Sequence, residues 1–303
     1  MNTVCLDVII VSRDRRESLL KCLEHLSQGV TYINNIIIVD SSENGYFNVN
    51  DCPYEVLRQK LNIINLQLDM GSQPIARNIA LSKSDAEYVL FLDDDAYVSP
   101  KSLAYLHFLI ENNSDKKAFG VNIMQGTALS QNDKEYILPS FHPLKWSVGN
   151  FNIIEKVEFK VEHLQGTFMC FNRLCLLGLG GFNENLAGGY ASFEETEVFM
   201  RLNKCFNDPI LFSSHNSIQH GEVPRLFASR SLLSSRYYCF TYAKNGQTCS
   251  KAKYGAILSC VFLPLVMLVN YYRIFSSKDK ASFYERVILV ICFTFGALRG
   301  VLN

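Results

Sequence analysis

Two acidic clusters are where this 303-residue sequence could do chemistry. The first, Asp93-Asp94-Asp95, ends the apolar run "AEYVLFLDDDAYVSP"; the second, Glu194, Glu195 and Glu197, opens "FEETEVFMRL". Consecutive aspartates repel one another and have low strand propensity, so they gain nothing as packing. A divalent cation would neutralise them, and hard carboxylate oxygens favour Mg²⁺ or Mn²⁺. The alternative is a turn whose aspartates are solvated or cap a helix. The glutamates are open in the same way: they form either an ordinary charged helix face or the setting of a catalytic base.

The segments around these clusters have the periodicities of an α/β fold. "LDVIIVS" (6–12) and "INNIIIVD" (33–40) are compact apolar runs, as expected of strands buried on both faces. Between them Leu19, Leu20, Leu23 and Leu26 recur at helical spacing. "GSQPIARNIALSKS" predicts a helix with Ser72 as N-cap and Pro74 in its first turn, and Ser99-Pro100 predicts another running to about Asn112. Strands alternating with helices to residue 112 imply right-handed βαβ units and a mainly parallel sheet flanked by helices. In such sheets ligands bind beyond the carboxyl ends of the strands, where Asp40 and the three aspartates sit.

Residues 120–165 are less regular, with strands expected at "FGVNIMQ" and "HLQGTFMCF" and an excursion between them that contains Trp146. That tryptophan could stack on a ligand or simply pack. A glycine-rich loop, "LGLGGFNENLAGGY", precedes the glutamates. "PILFSSHNSIQHGE" reads as a short strand and loop, and a helix is expected from about Pro224 to Lys244.

Formal net charge is zero, which offers a nucleic-acid partner no electrostatic support. The ten cysteines include no C-x-x-C pair, so a zinc or redox motif has no basis, and a reducing, cytosolic setting is expected. The N-terminal segment has an apolar run too short for a signal peptide and no basic region before it. Near the C-terminus, 19 uncharged residues lie between Lys253 and Arg273, and 12 between Arg286 and Arg299. The first stretch could just cross a bilayer core of ~30 Å, and the second is too short. Lys251, Lys253, Arg273, Lys278 and Lys280 place positive charge on both sides of the first. That fits a re-entrant or interfacial hairpin better than a single crossing, with two buried core helices as the alternative.

"DVIIVSRDR", "IIIVDSS", "GSQPIARNIAL", "YVLFLDDDAYVSP", "GGFNENLAGGYASFEETEVFMRL" and "QHGE" occur in the order seen in family-2 inverting glycosyltransferases. Over about residues 5–222 the chain resembles that family. The resemblance implies a GT-A fold, with residues 1–224 as catalytic domain; the uncharged stretches beyond it make 225–303 a C-terminal helical region expected to associate with a membrane as a hairpin. It also implies roles for particular residues. Asp40 would recognise the nucleotide base, and Arg77 would lie near the base and diphosphate. Asp93 and Asp95 would be the D-x-D pair, Asp93 facing the ribose and Asp95 binding Mn²⁺ or Mg²⁺. His220 would complete the metal site, with His215 as a nearby competitor.

Inversion needs a carboxylate that takes the proton from the attacking hydroxyl. In the family this is the second acid of an E-D pair followed by x-D-L-x-x-R. Here both aspartates are glutamates, which makes Glu195 the expected base, Glu194 its neighbour and reserve, and Glu197 a helix-surface partner of Arg201 four residues on. The extra methylene moves the carboxylate by about 1.5 Å, enough to matter for rate unless the pocket matches it.

The expected activity is transfer of a sugar from a nucleoside-diphosphate sugar to a saccharide hydroxyl. The acceptor is expected to be lipid-linked, at the cytoplasmic face of a membrane, as in surface-polysaccharide assembly. Arg225, Arg230 and Arg236 add positive charge there. The alternatives are a catalytically impaired relative acting as a scaffold or binding subunit, and a sugar-nucleotide pyrophosphorylase. The latter would need a glycine-rich phosphate loop where this chain has "SRDRRESLLK".

Overall fold

The computed structural model describes residues 4–43, 45–68, 72–125, 128–134, 137–142, 146–184, 194–221 and residue 287, with the backbone alone at 142 and 146–148. The helix expected at 224–244, both C-terminal apolar stretches, Arg225, Arg230 and Arg236, and with them the division expected at residue 224, lie outside the described residues. Among the described residues no helix is long and apolar enough to cross a membrane.

In chain order the strands are β1 (Leu6–Ser12), β2 (Ile36–Asp40), β3 (Leu61–Asn65), β4 (Tyr88–Asp93), β5 (Ala96–Tyr97), β6 (Ala118–Met124), β7 (Ser140–His142), β8 (Trp146–Val148), β9 (Glu158–Lys160), β10 (Phe168–Asn172) and β11 (Ile210–His220). The helices are α1 (Arg16–Gln28), α2 (Glu55–Arg58), α3 (Gln73–Lys83), α4 (Pro100–Asn112), α5 (Arg173–Gly178) and α6 (Glu194–Cys205). The main sheet runs β3-β2-β1-β4-β10-β6-β11-β5, with β9 also on β11, while β7 and β8 pair separately.

The expected parallel sheet is present in the N-terminal half, where β3, β2, β1 and β4 are all parallel. β10 then enters antiparallel to both β4 and β6, so the sheet as a whole is mixed. Successive side chains of a strand point to opposite faces, and "LDVIIVS" has a buried residue on each. Val8 and Ile10 pack with Leu19, Leu23 and Leu26 of α1 and Leu103 and Leu106 of α4. Ile9 joins the opposite core, with Ala76 and Ala80 of α3 and Val198, Phe199 and Leu202 of α6. That two-sided burial is why the strand carries no polar alternation.

Local signals held in part. Ser99 caps α4 by accepting from Ser102 N. Ser72 stands at the N-cap of α3 without a side-chain bond, its backbone (φ −83°, ψ 23°) being outside the extended region usual for a cap. The segment expected to be a short strand and loop is one 11-residue strand, β11. Its register with β6 shifts between Ser213 and Ser217. The irregularity leaves exposed His215 outside the ladder and returns Ile218 to the core.

Register brings the chemistry together. Ser12 pairs with Asp40 across β1 and β2, and Val11 pairs with Asp93 across β1 and β4. The two-residue β5 lies antiparallel to the end of β11, matching Ala96 with His220. Residues 82 apart in sequence thereby meet at the carboxyl ends of neighbouring strands: the Ser12 hydroxyl donates to Asp94 at 2.8 Å.

Candidate active site

Asp93, Asp95 and His220 each offer a ligand atom within 4.8 Å of the others. Strand β4 ends at Asp93, the turn that follows carries Asp94 and Asp95, and β11 delivers His220. Gly221 allows the close approach. Its N–H donates to the Asp95 carbonyl at 2.7 Å, and a Cβ there would lie 3.1 Å from that oxygen and 3.1 Å from the Tyr97 hydroxyl.

The three aspartates have different surroundings. Asp94 and Asp95 are buried, and Asp93 is partly exposed. Burial pushes Asp94 up to about 7, against the opposing pull of Arg15 and Ser12. Burial acts on Asp95 too, but His220 and Arg15 overcome it and bring that carboxyl down to about 2. Arg15 touches both, with Nη1 2.7 Å from Asp94 and Nη2 2.5 Å from Asp95.

One oxygen of this cluster has no hydrogen-bond partner. Asp95 Oδ1 and both ring nitrogens of His220 are buried and unsatisfied, although Oδ1 and Nε2 lie 3.2 Å apart. A carboxylate oxygen and an imidazole nitrogen this close in a buried site require a proton or a cation between them. Carboxylate oxygens with one imidazole form a donor set that Mn²⁺ or Mg²⁺ accepts, so the residues present fit such an ion.

Arg77 links this cluster to the glutamates. Buried on α3, it donates from Nη1 to Glu194 Oε1 at 2.8 Å, and its Nη2 lies 3.6 Å from Asp93 Oδ1. Its guanidinium also lies over the Phe182 ring, 5.3 Å from the centroid. Glu194 is buried with Oε2 unpartnered, while Glu195 is half-buried. Gly166, just before β10, backs onto both groups: a Cβ there would lie 3.7 Å from Arg77 Nη2 and 3.7 Å from the Glu195 carboxyl carbon. Burial of its carboxyl, then the neighbouring charge of Glu194, raise Glu195 well above the ordinary glutamate value, and Arg77 only partly offsets them.

Asp40 is engaged differently. Its Oδ1 accepts from the Ser42 N–H at 3.0 Å and the Ser42 hydroxyl at 2.6 Å, and its Oδ2 accepts from the Phe47 N–H at 2.6 Å. In this structure it therefore organises the loop beyond β2. Trp146 lies in β8, with its side chain outside the described residues, and exposed His215 stands apart from the metal cluster.

Two residues that sequence reasoning did not single out hold the site in shape. Arg15 is one, and the basic run "RDRR" after β1 was its only trace. Asn78, next to Arg77, is the other. It donates to the Phe182 carbonyl and accepts the Phe182 N–H, both at 2.8 Å. Gly181 must be glycine for this clamp: its φ is +69°, and a Cβ would lie 2.5 Å from Asn78 Oδ1.

The Glu197–Arg201 pair expected at the helix surface is present, but it is largely buried, with side-chain exposures of 5% and 19%. Arg201 also donates to the carbonyls of Leu179 and Gly181, at 2.5 and 2.6 Å, tying the glycine-rich loop to α6. Removing one partner of a buried pair leaves an uncompensated charge. Arg201→Met is accordingly expected to cost about 3–5 kcal/mol, seen as a lower urea midpoint of the full chain.

Residues 7–175, more than half of the chain, match the model of Glycosyl transferase family 2. The chain belongs to that family. No curated protein sequence matches it. Among solved structures, S. aureus TarS 1–349 superposes with a TM-score of 0.62 at 17% identity, over 98% of this chain and 81% of TarS 1–349. The same protein in complex with UDP-GlcNAc gives 0.62 at 16%, over 98% and 82%. GalNAc-T7 with UDP, GalNAc and Mn²⁺ gives 0.61 at 13%, over 83% and 53%. At such identities these likenesses speak for the fold, which is that of the GT-A glycosyltransferases. The family is one of glycosyltransferases, not of pyrophosphorylases.

Proposed function

We propose that this family-2 glycosyltransferase is a metal-dependent, inverting enzyme. It moves one sugar from a nucleoside-diphosphate sugar to a hydroxyl of a lipid-linked saccharide, at the cytoplasmic face of a membrane, in surface-polysaccharide assembly. The observation that carries the reading is the placement of Arg77, which bridges Asp93 on the metal side and Glu194 on the glutamate side. Donor and acceptor chemistry thus adjoin around one buried cation.

Asp95 and His220, with Asp93 beside them, would hold Mn²⁺ or Mg²⁺, which would supply Lewis-acid stabilisation to the departing diphosphate. Glu195 takes the proton from the acceptor hydroxyl as that oxygen bonds the anomeric carbon and the bond to the nucleoside diphosphate breaks. Attack from the face opposite the leaving group inverts the centre. Glu194 holds Arg77 toward the site. Asp40 shapes the loop beyond β2, on the side where the base is expected. Membrane placement rests on the uncharged C-terminal stretches and their basic flanks.

The test is a screen of nucleotide sugars for Mn²⁺- or Mg²⁺-dependent binding, hydrolysis and transfer. UDP sugars come first, because the TarS and GalNAc-T7 structures carry UDP or a UDP sugar. Saturable, metal-dependent turnover of one donor is the expected result. Donor binding without turnover on any acceptor would favour the scaffold reading, which the two glutamates in family aspartate positions keep open. Deleting residues 250–303 is expected to release the protein from membranes; an unchanged distribution would remove the membrane placement.

A further inference from the structure

Asp93, Asp94 and Asp95 are consecutive, yet only some of their oxygens are open to a cation. Arg15, at the N-terminal boundary of α1, lays its two terminal nitrogens on two different aspartates, Nη1 on Asp94 Oδ1 and Nη2 on Asp95 Oδ2. Ser12 occupies the other oxygen of Asp94. What remains is Asp95 Oδ1, which faces His220, together with Asp93, which sits 3.6 Å from Arg77.

We infer that Arg15 is a positioning residue for the metal: it withdraws Asp94 from coordination, turns Asp95 so that only Oδ1 faces His220, and as a fixed positive charge holds down the affinity of the site for a divalent cation. The inference rests on the metal reading above. A planar guanidinium can bridge two carboxylates in a fixed geometry, whereas a lysine ammonium would sit on them as a point charge. Asp94 is 2% exposed, and at that depth charges interact several-fold more strongly than in water. Arg15 therefore matters to a cation in two opposed ways. It orders the ligands, and it repels the ion.

The repulsion is the stronger of the two, and this separates a metal-positioning role from a merely structural ion pair. The measurement is Mn²⁺ binding by the full chain without nucleotide, read from the free-ion electron paramagnetic resonance signal. Arg15→Gln is expected to bind Mn²⁺ about tenfold or more tightly, because it removes the repelling charge and frees Asp94. Arg15→Gln combined with Asp94→Asn removes one charge of each sign and is expected to return affinity to within about threefold of the unaltered chain. Should Arg15→Gln alone fail to fold, with Asp94 left buried beside a single hydroxyl, the double variant compared with Asp94→Asn carries the test: the two differ only in the Arg15 charge, so the double variant is expected to bind Mn²⁺ about tenfold more tightly, and equal binding would overturn the inference.

Unchanged or weaker Mn²⁺ binding in folded Arg15→Gln would overturn the inference. So would a loss of about tenfold or more in the double variant, since Asp94 would then itself be a ligand. If the unaltered chain binds no Mn²⁺, the metal reading falls and takes this inference with it; if it binds and Arg15→Gln does not differ, only the inference falls.

Discussion

Glu195→Gln is expected to lower the transfer rate by about a hundred- to ten-thousandfold, the range a general base contributes, while leaving donor affinity within about threefold. Glutamine keeps the shape of the side chain in the first turn of α6 but accepts no proton at the pH of the reaction. Donor affinity is spared because the metal cluster and Arg77 are untouched. Stability points the other way. A carboxyl raised in the folded state costs stability above its ordinary value, where the unfolded chain ionises more easily. Replacing this carboxyl, which folding holds protonated near neutral pH, by a neutral amide should therefore leave the midpoint of thermal unfolding unchanged or higher. Loss of activity with gained stability is hard to produce by misfolding.

The same shift sets the pH dependence. The base works as a carboxylate, so kcat/KM should climb with pH through the raised value of Glu195 and level off above it, at higher pH than an unperturbed glutamate would require. A profile already flat from pH 5 upward would contradict that ionisation. Glu194→Gln serves as the comparison. It can still accept from Arg77, and its loss of rate should be much the smaller; the reverse order would make Glu194 the base. Glu195→Asp withdraws the carboxylate by about 1.5 Å and is expected to cost on the order of a hundredfold if the pocket is built around glutamate.

Asp95→Asn is the second large effect. Asp95 Oδ1 is the buried carboxylate oxygen turned toward His220, and the charge it carries is what a divalent ion would meet there. Metal stabilisation of a departing diphosphate amounts to several kcal/mol, so transfer should fall on the order of a thousandfold or more. Chelation with EDTA should reproduce that loss in the unaltered chain, and added Mn²⁺ should reverse it there but not in Asp95→Asn. Full transfer after exhaustive chelation would remove the ion from the mechanism. His220→Ala provides a graded companion, since it keeps both aspartates and loses one neutral ligand.

Much of the fold was legible because its cause is local. Continuous apolar runs marked β1, β2 and β4, and helical spacing marked α1. Pro100 after Ser99 marked the start of α4, because proline fits the first turn and serine the cap. β3 went unrecognised: it is an edge strand with no fully buried residue, so "LNIIN" shows neither a buried run nor a clean alternation. The antiparallel entry of β10 and the full length of β11 depend on partners up to 95 residues away in sequence. Periodicity within a short window does not report such pairings. The interval between Glu197 and Arg201 announced an ion pair, but its burial comes from the 179–181 loop folding over it.

For the site, the sequence by itself determined the kinds of group available and their order along the chain: three aspartates at a strand end, an arginine on the preceding helix, acids at a helix start, a late histidine followed by glycine. Those are properties of residue type and neighbourhood, and strand ends are where α/β sheets leave room for ligands. Only the tertiary structure decided how the groups are shared out. It set Arg15 across Asp94 and Asp95, aimed Asp95 Oδ1 at His220, and used Arg77 to join Asp93 to Glu194. Whether a given carboxylate oxygen is open to a cation depends on which donors lie within about 3 Å of it. Those donors arrive from β1, α1, α3 and β11, whose positions are set by sheet register and by packing on both faces.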